Sequence, residues 1–175
     1  MSRNDLTFGF YENFPSQIHW LESFSSILSN RQLQQKLIQV IYEINRKEFS
    51  FEEIACPTIP EGKVIFEFGF ADSEGFCYLD DVERKKALDF LIKENFDTLD
   101  LFCGIRYYKG KIGKKSPLRF DYYLLRTIYN KGTVEVQVHH EKGPRYISPR
   151  DLTQLISNKI NDDSKKIVLK KRKTQ

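Results

Sequence analysis

The sequence predicts an α+β domain built on an antiparallel sheet. Three observations lead there. Apolar residues recur at helical spacing in the first third of the chain, and they alternate with period two through much of the middle. The alternating runs are joined by short turns carrying Gly or Asn. With 175 residues, 40% hydrophobic and 14% aromatic, the chain holds enough apolar matter for one core and too little length for two independent domains. The expected architecture is two N-terminal amphipathic helices, a sheet of about five or six strands with one inserted helix, then a C-terminal helix and a basic tail. Residues 1–163 are read as a single α+β domain and 164–175 as a flexible tail.

Each element has its own reason. Pro15 stands where a first helical turn tolerates proline, and Trp20, Leu21, Phe24, Ile27 and Leu28 recur at helical spacing, which predicts a helix over 13–28 with His19 and Trp20 as packing residues. A second helix follows Asn30, its apolar face formed by Leu33, Leu37, Ile38, Val40, Ile41 and Ile44. Phe49 and Phe51 then begin to alternate. Gly62–Phe70 and Gly75–Leu79 form a hairpin about Ala71–Gly75, and Asp80 and Asp81 cap a helix reaching about Asn95, with Val82, Leu88, Leu91 and Ile92 facing inward. A strand from Thr98 to Tyr108 aligns Leu99, Leu101, Cys103, Ile105 and Tyr107 on one side. The next strand runs from about Leu118 to Tyr129 and turns at Asn130-Lys131-Gly132 into a strand from Thr133. There Val134, Val136, Val138 and His140 face the core, and Glu135, Gln137, His139 and Glu141 face away. Ser148, Pro149 and Asp151 open the last helix, which ends near Asn161.

The formal charge of +4 conceals a division. Residues 1–100 carry 10 Lys/Arg against 18 Asp/Glu, whereas residues 101–175 carry 18 against 6, so the second half alone is strongly cationic. Clustered cations attract phosphates over about 10 Å, which makes nucleic acid the expected partner. The tail from Ser164 to Gln175 adds six cations and no acid. No apolar run approaches the roughly 18 residues of a membrane helix, and the polar start lacks the form of a secretory signal, so a cytoplasmic protein without a membrane is expected. Cys56, Cys77 and Cys103 match no zinc or redox spacing and read as small buried hydrophobes.

On a strand His139 and His140 point to opposite faces and cannot both ligate one ion, and neither a third histidine nor a cysteine stands nearby, so neither metal nor cofactor is expected. Asp121 followed by Glu135-Val136-Gln137 resembles the Asp, then Glu-x-Lys pattern of restriction-endonuclease-like nucleases, with Gln137 in place of lysine. The resemblance implies a divalent ion between the carboxylates. A hairpin turning at Asn130–Gly132 sets Glu135 opposite Thr127, about 20 Å from Asp121, and brings Asp121 near Glu141 and His139 near Tyr123 instead. Gly113-Lys114-Lys115-Ser116 lacks the first glycine and following helix of a nucleotide-binding loop, and Gly110-Lys111-Ile112-Gly113 joins strands where the KH clamp joins helices.

Two segments remain. The basic loop offers Lys109, Lys111, Lys114, Lys115 and Arg119 for phosphates and Tyr107 and Tyr108 for stacking. The corner Glu141–Arg150 places Lys142, Arg145, Tyr146 and Arg150 beside a helix N-terminus, where free amides favour an anion. The expected function is therefore a non-catalytic nucleic-acid-binding domain or accessory subunit of a nucleic-acid-processing complex, contacting phosphates through loop and corner. Two alternatives stand beside it: a protein-interaction subunit docking through its N-terminal helices, and a divalent-metal-dependent nuclease.

Overall fold

The computed structural model of the protein describes residues 8–55, 62–72, 75–109 and 119–173. Its elements are β1 (Trp20–Ser26), α1 (Asn30–Asn45), β2 (Glu48–Ser50), a 3-10 turn (Phe51–Glu53), β3 (Gly62–Ala71), β4 (Phe76–Tyr78), α2 (Asp81–Lys93), β5 (Thr98–Lys109), β6 (Arg119–Asn130), β7 (Thr133–Lys142), α3 (Pro149–Ser164) and β8 (Leu169–Lys171). The strands form one eight-stranded antiparallel sheet in the order β2-β3-β5-β6-β7-β1-β8, with β4 hydrogen-bonded to β3 outside that path.

Strand pleating sorts side chains strictly between two faces. Val64, Phe66, Phe68, Phe70, Leu99, Leu101, Cys103, Ile105, Tyr107, Tyr123, Leu125, Val134 and Val138 occupy one face and are buried in a continuous core with residues of the three helices. Helix α1 packs between α2 and α3. Ser29 opens it with a reciprocal box, its hydroxyl accepting from the Gln32 amide and its own amide donating to the Gln32 side chain. Two buried amides of α1 hold the surrounding backbone: Gln34 pairs both ways with Phe96, and Asn45 pairs both ways with Phe68. Patterning could not find these contacts, because a polar residue inside a helix face carries no periodic signal.

The α+β class stands, with an eight-stranded sheet and three helices in place of the finer plan. The helix expected over 13–28 is absent. Trp20 pairs with Val138 and Phe24 with Val134 along β7, so Trp20–Ser26 is a strand. The apolar stripe that suggested a helix is split in the fold: Phe24 is 2% exposed but Ile27 is 68% exposed. A hydrophobic spacing of four satisfies a strand as well as a helix, and the available partner strand decides between them. Asp80 caps α2 as expected, yet Ala87 and Leu91 are its buried residues while Val82 and Ile92 lie exposed. The tail is a correction too. Residues 164–173 end α3 and then add β8 to the edge of β1, with Val168 and Leu169 buried. Among the described residues no helix is long and apolar enough to cross a membrane.

Candidate nucleic-acid interface

The face of the sheet turned away from the helices is where the aromatic and cationic residues meet. Residues 8–19 cross one end of it. The Gly9 amide donates to Ala71 O and the Asp100 amide to Gly9 O, and farther along the His19 amide donates to Val138 O. Between these points Asp100, fully buried, accepts the Tyr11 amide at 2.7 Å and a two-pronged pair from Arg126 at 2.8 Å each. The Arg126 guanidinium also donates to Tyr11 O and lies over the rings of Phe14 and Phe10.

Beyond this strap the face carries a ribbon of rings. Tyr11 meets Phe76, Phe76 meets Phe102 at 5.7 Å between centroids, Phe102 stacks on Tyr122 at 5.8 Å, and Tyr122 stacks on Phe120 at 6.3 Å. Gly104 lies beside the central step: a Cβ there would make ordinary contact with both rings, 3.5 Å from Phe102 and 3.8 Å from Tyr122. Phe120, at the end of the ribbon, is 41% exposed. Arg106 stands opposite Phe120 and pairs with Glu67 at 2.5 Å.

A β-bulge brings Lys142 to this face. Tyr123 pairs with His140 but Tyr122 with Lys142, so one extra residue is inserted on β7 and the inward–outward alternation resets. Lys142 then sits 4.9 Å from the Tyr122 ring centroid, an arrangement with cation–π geometry. Without the inserted residue it would share the helix-covered face with His140.

The corner that follows is organised from below by Asp121. This carboxylate is fully buried and accepts four hydrogen bonds: from Tyr107 Oη at 2.5 Å, His140 Nε2 at 2.9 Å, and the amides of Arg145 and Tyr146 at 2.8 and 3.1 Å. Tyr107 Oη in turn accepts the Ile147 amide, and burial, then the bond to Asp121, pushes the Tyr107 hydroxyl far above its ordinary range. Gly143, at φ +119°, fits only because it has no side chain, since a Cβ would meet Asp121 Oδ1 and Phe120 O at 2.3 Å.

These contacts sort the expected site residues. Lys109, Arg119, Lys142, Arg145 and Arg150 are exposed. Lys111, Lys114 and Lys115 lie outside the described residues. Tyr107 and Tyr108 are both buried, at 0% and 6% exposure: Tyr107 shares the core face and reaches Asp121, whereas Tyr108 alternates to the opposite face across from Lys63. Tyr146 is half-buried and packs edge-on against Tyr107. The amides before α3 are not vacant, since Asp121 takes two of them and the Ser148 hydroxyl takes that of Asp151.

The hairpin register is one residue from the expected one, with Glu135 opposite Ile128, because Lys131 and Gly132 alone form the loop. That places Asp121 and Glu135 on opposite faces, so they share no ion. Glu135 instead accepts from Gln137 Nε2, and Glu141 pairs with His139 at 3.0 Å. Among the described residues no group of His, Cys, Asp or Glu is arranged to hold a metal. Of the other cations in the second half, Arg126 is matched by Asp100 and Lys171 by Glu22, and the β8 cations occupy the far edge of the sheet, three strands from β6. The basic half therefore does not converge whole. The aromatic ribbon, missed in the sequence, could have been sought in the alternation of Phe102, Gly104 and Arg106 against Phe120 and Tyr122.

All three histidines meet where the strap joins β7. His139 Nδ1 lies 2.7 Å from Gln17 O, and the His140 amide donates to His19 Nδ1 at 2.9 Å. Accepting that bond requires His19 Nδ1 to be unprotonated. Burial, then Arg145 and the two other histidines, lowers the His19 pKa below 6.5. A histidine with a lowered folded pKa contributes stability that is complete above its unfolded value and lost as pH falls from there through the folded pKa, so the stability this latch adds declines below about 6.5. Titration of the ring followed by NMR should give a midpoint below 6.5, with the His140 amide shifting in parallel. A midpoint at or above 6.5, or an unresponsive amide, contradicts it.

Comparison with protein families, curated proteins and solved structures finds no match to this chain.

Proposed function

We propose that this chain binds single-stranded nucleic acid on the helix-free face of its sheet. The observation that carries the reading is the ribbon Phe76–Phe102–Tyr122–Phe120, open at Phe120 and flanked by Lys142 and Arg106. A base has a π-face of the same kind as these rings and extends a stack that already exists, while the cations neutralise the adjoining phosphates. Lys109 and Arg119, exposed at the same end of β5 and β6, alternate with Tyr107 and Asp121 and so fall on the other side of the sheet from the ribbon. The duplex fits less well, because its bases are already stacked on one another. Docking through N-terminal helices has little surface to use: α1 buries its apolar face, and Trp20 packs against the core from a strand.

The test is fluorescence anisotropy with a labelled decathymidylate and decauridylate across a salt series. Affinity should fall at least tenfold between 50 and 200 mM salt. Phe120→Ala, which removes the ring a base stacks on, and Tyr122→Ala, which removes the ring Phe120 rests on, should each weaken binding by roughly 5- to 150-fold, corresponding to about 1–3 kcal/mol per stacked base. Undetectable or salt-insensitive binding, or full affinity in both variants, rejects the reading.

A further inference from the structure

Arg106 combines three features not found together at the other cations of this face. Its guanidinium makes an ion pair with Glu67, Nη2 to Oε1 at 2.5 Å. Its Nε–H is buried and has no hydrogen-bond partner. Its position on the sheet is also fixed, because Arg106 lies directly across from Phe120, the exposed end of the ribbon, while Glu67 lies across from Gly104, beneath the stacked rings. Arg126, on the same face, provides the contrast: its Nε and Nη2 both engage Asp100, leaving that guanidinium edge fully used.

A guanidinium offers five N–H groups in a fork matched to two oxygens of one anion. Here one prong is occupied by a carboxylate oxygen and the neighbouring buried N–H is left over. A buried donor without a partner is costly, and that cost is relieved when an anion supplies the second oxygen. The Glu67 and Arg106 side chains are 42% and 35% exposed, so the pair can open without unfolding anything around it. A phosphodiester linking a base stacked on Phe120 to its neighbour has two unesterified oxygens and bears the charge the fork is shaped to receive.

Resting on the single-strand reading above, we propose that Arg106 is the phosphate seat of this face and that Glu67 occupies it as an internal stand-in until a phosphodiester displaces it. Glu67 then acts as a gate on affinity. Removing its charge should strengthen binding, the reverse of what loss of a contact residue would do.

The experiment measures decathymidylate binding to the full chain and to Glu67→Gln, Arg106→Ala and the Glu67→Gln/Arg106→Ala double variant, each from 50 to 300 mM salt, with thermal melting as the check on folding. Glu67→Gln should bind about two- to fivefold more tightly at the low-salt end, the scale of one exposed ion pair. Its log–log salt slope should steepen by about 0.7, one further counterion released from a single strand. Arg106→Ala should bind more weakly, and adding Glu67→Gln to it should restore nothing. An unchanged or weaker Glu67→Gln beside a binding wild type overturns the seat and leaves the single-strand reading intact. A gain that persists without Arg106 also overturns it, assigning Glu67 to general repulsion of the strand. If neither wild type nor Glu67→Gln binds at 50 mM salt, the reading falls and the seat with it.

Discussion

Asp121→Ala is expected to cost about 3–5 kcal/mol of folding stability, among the largest losses available to a single substitution in this chain. The carboxylate is fully buried, and its removal orphans four donors at once: Tyr107 Oη, His140 Nε2 and the amides of Arg145 and Tyr146. Each buried group left unpaired costs on the order of 1–3 kcal/mol, moderated here because the loop from Gly143 to Ser148 can move outward and admit water. Asp121→Asn should cost less. The amide keeps one oxygen for two of the donors, but its NH2 then opposes the Tyr146 amide. Urea denaturation checks both, with the order Ala beyond Asn and an unchanged slope against denaturant. A loss below about 1 kcal/mol for the alanine variant would show that the corner is held by other contacts.

Arg126→Met is expected to be comparably damaging, about 3–5 kcal/mol, because it leaves Asp100 charged, fully buried and supported only by the Tyr11 amide. Methionine retains most of the contact with the Phe10 and Phe14 rings, so the loss reports the charge rather than the packing. The informative comparison is the double variant Asp100→Leu/Arg126→Met. Replacing both members of a buried pair by apolar groups removes the uncompensated charge, so the double variant should be more stable than Arg126→Met alone. If the two losses simply add, the pair is not the unit that anchors residues 8–14. Hydrogen exchange at Tyr11 offers a second readout: its amide should lose protection in both variants, since each frees the strap.

These results bear on function through the strap. Phe10, Tyr11 and Phe14 cover the Asp100–Arg126 end of the sheet face and meet the aromatic ribbon at Phe76. Loosening the strap by Arg126→Met therefore exposes more of the same face, whereas Asp121→Ala acts from the opposite face on the loop that carries Arg145.

Local signals read well wherever one rule governs the backbone. The Ser148 cap and the Asp80 cap lie where short-range hydrogen bonding demands them. So does the alternation of Leu99, Leu101, Cys103, Ile105 and Tyr107, which all end at 0% exposure. The candidate interface was less legible. Lys142 was singled out for its charge, but its place beside Tyr122 depends on one inserted residue in β7, and no composition encodes that insertion. Tyr107 was misassigned because the alternation that marks it as core was set aside in favour of its nearness to lysines.

By itself, then, the sequence determined the α+β class, the caps at Asp80 and Ser148, and which residues of the central strands face inward, because each of these follows from interactions within a few positions along the chain. Only the tertiary structure decided that 20–26 is a strand, that Asp121 anchors a corner where a shared metal with Glu135 had been considered, and that Phe76, Phe102, Tyr122 and Phe120 form one ribbon. Those outcomes depend on which strands lie side by side and in what register. A shift of one residue moves every side chain of a strand to the opposite face, so no rule confined to neighbours along the chain can reach them.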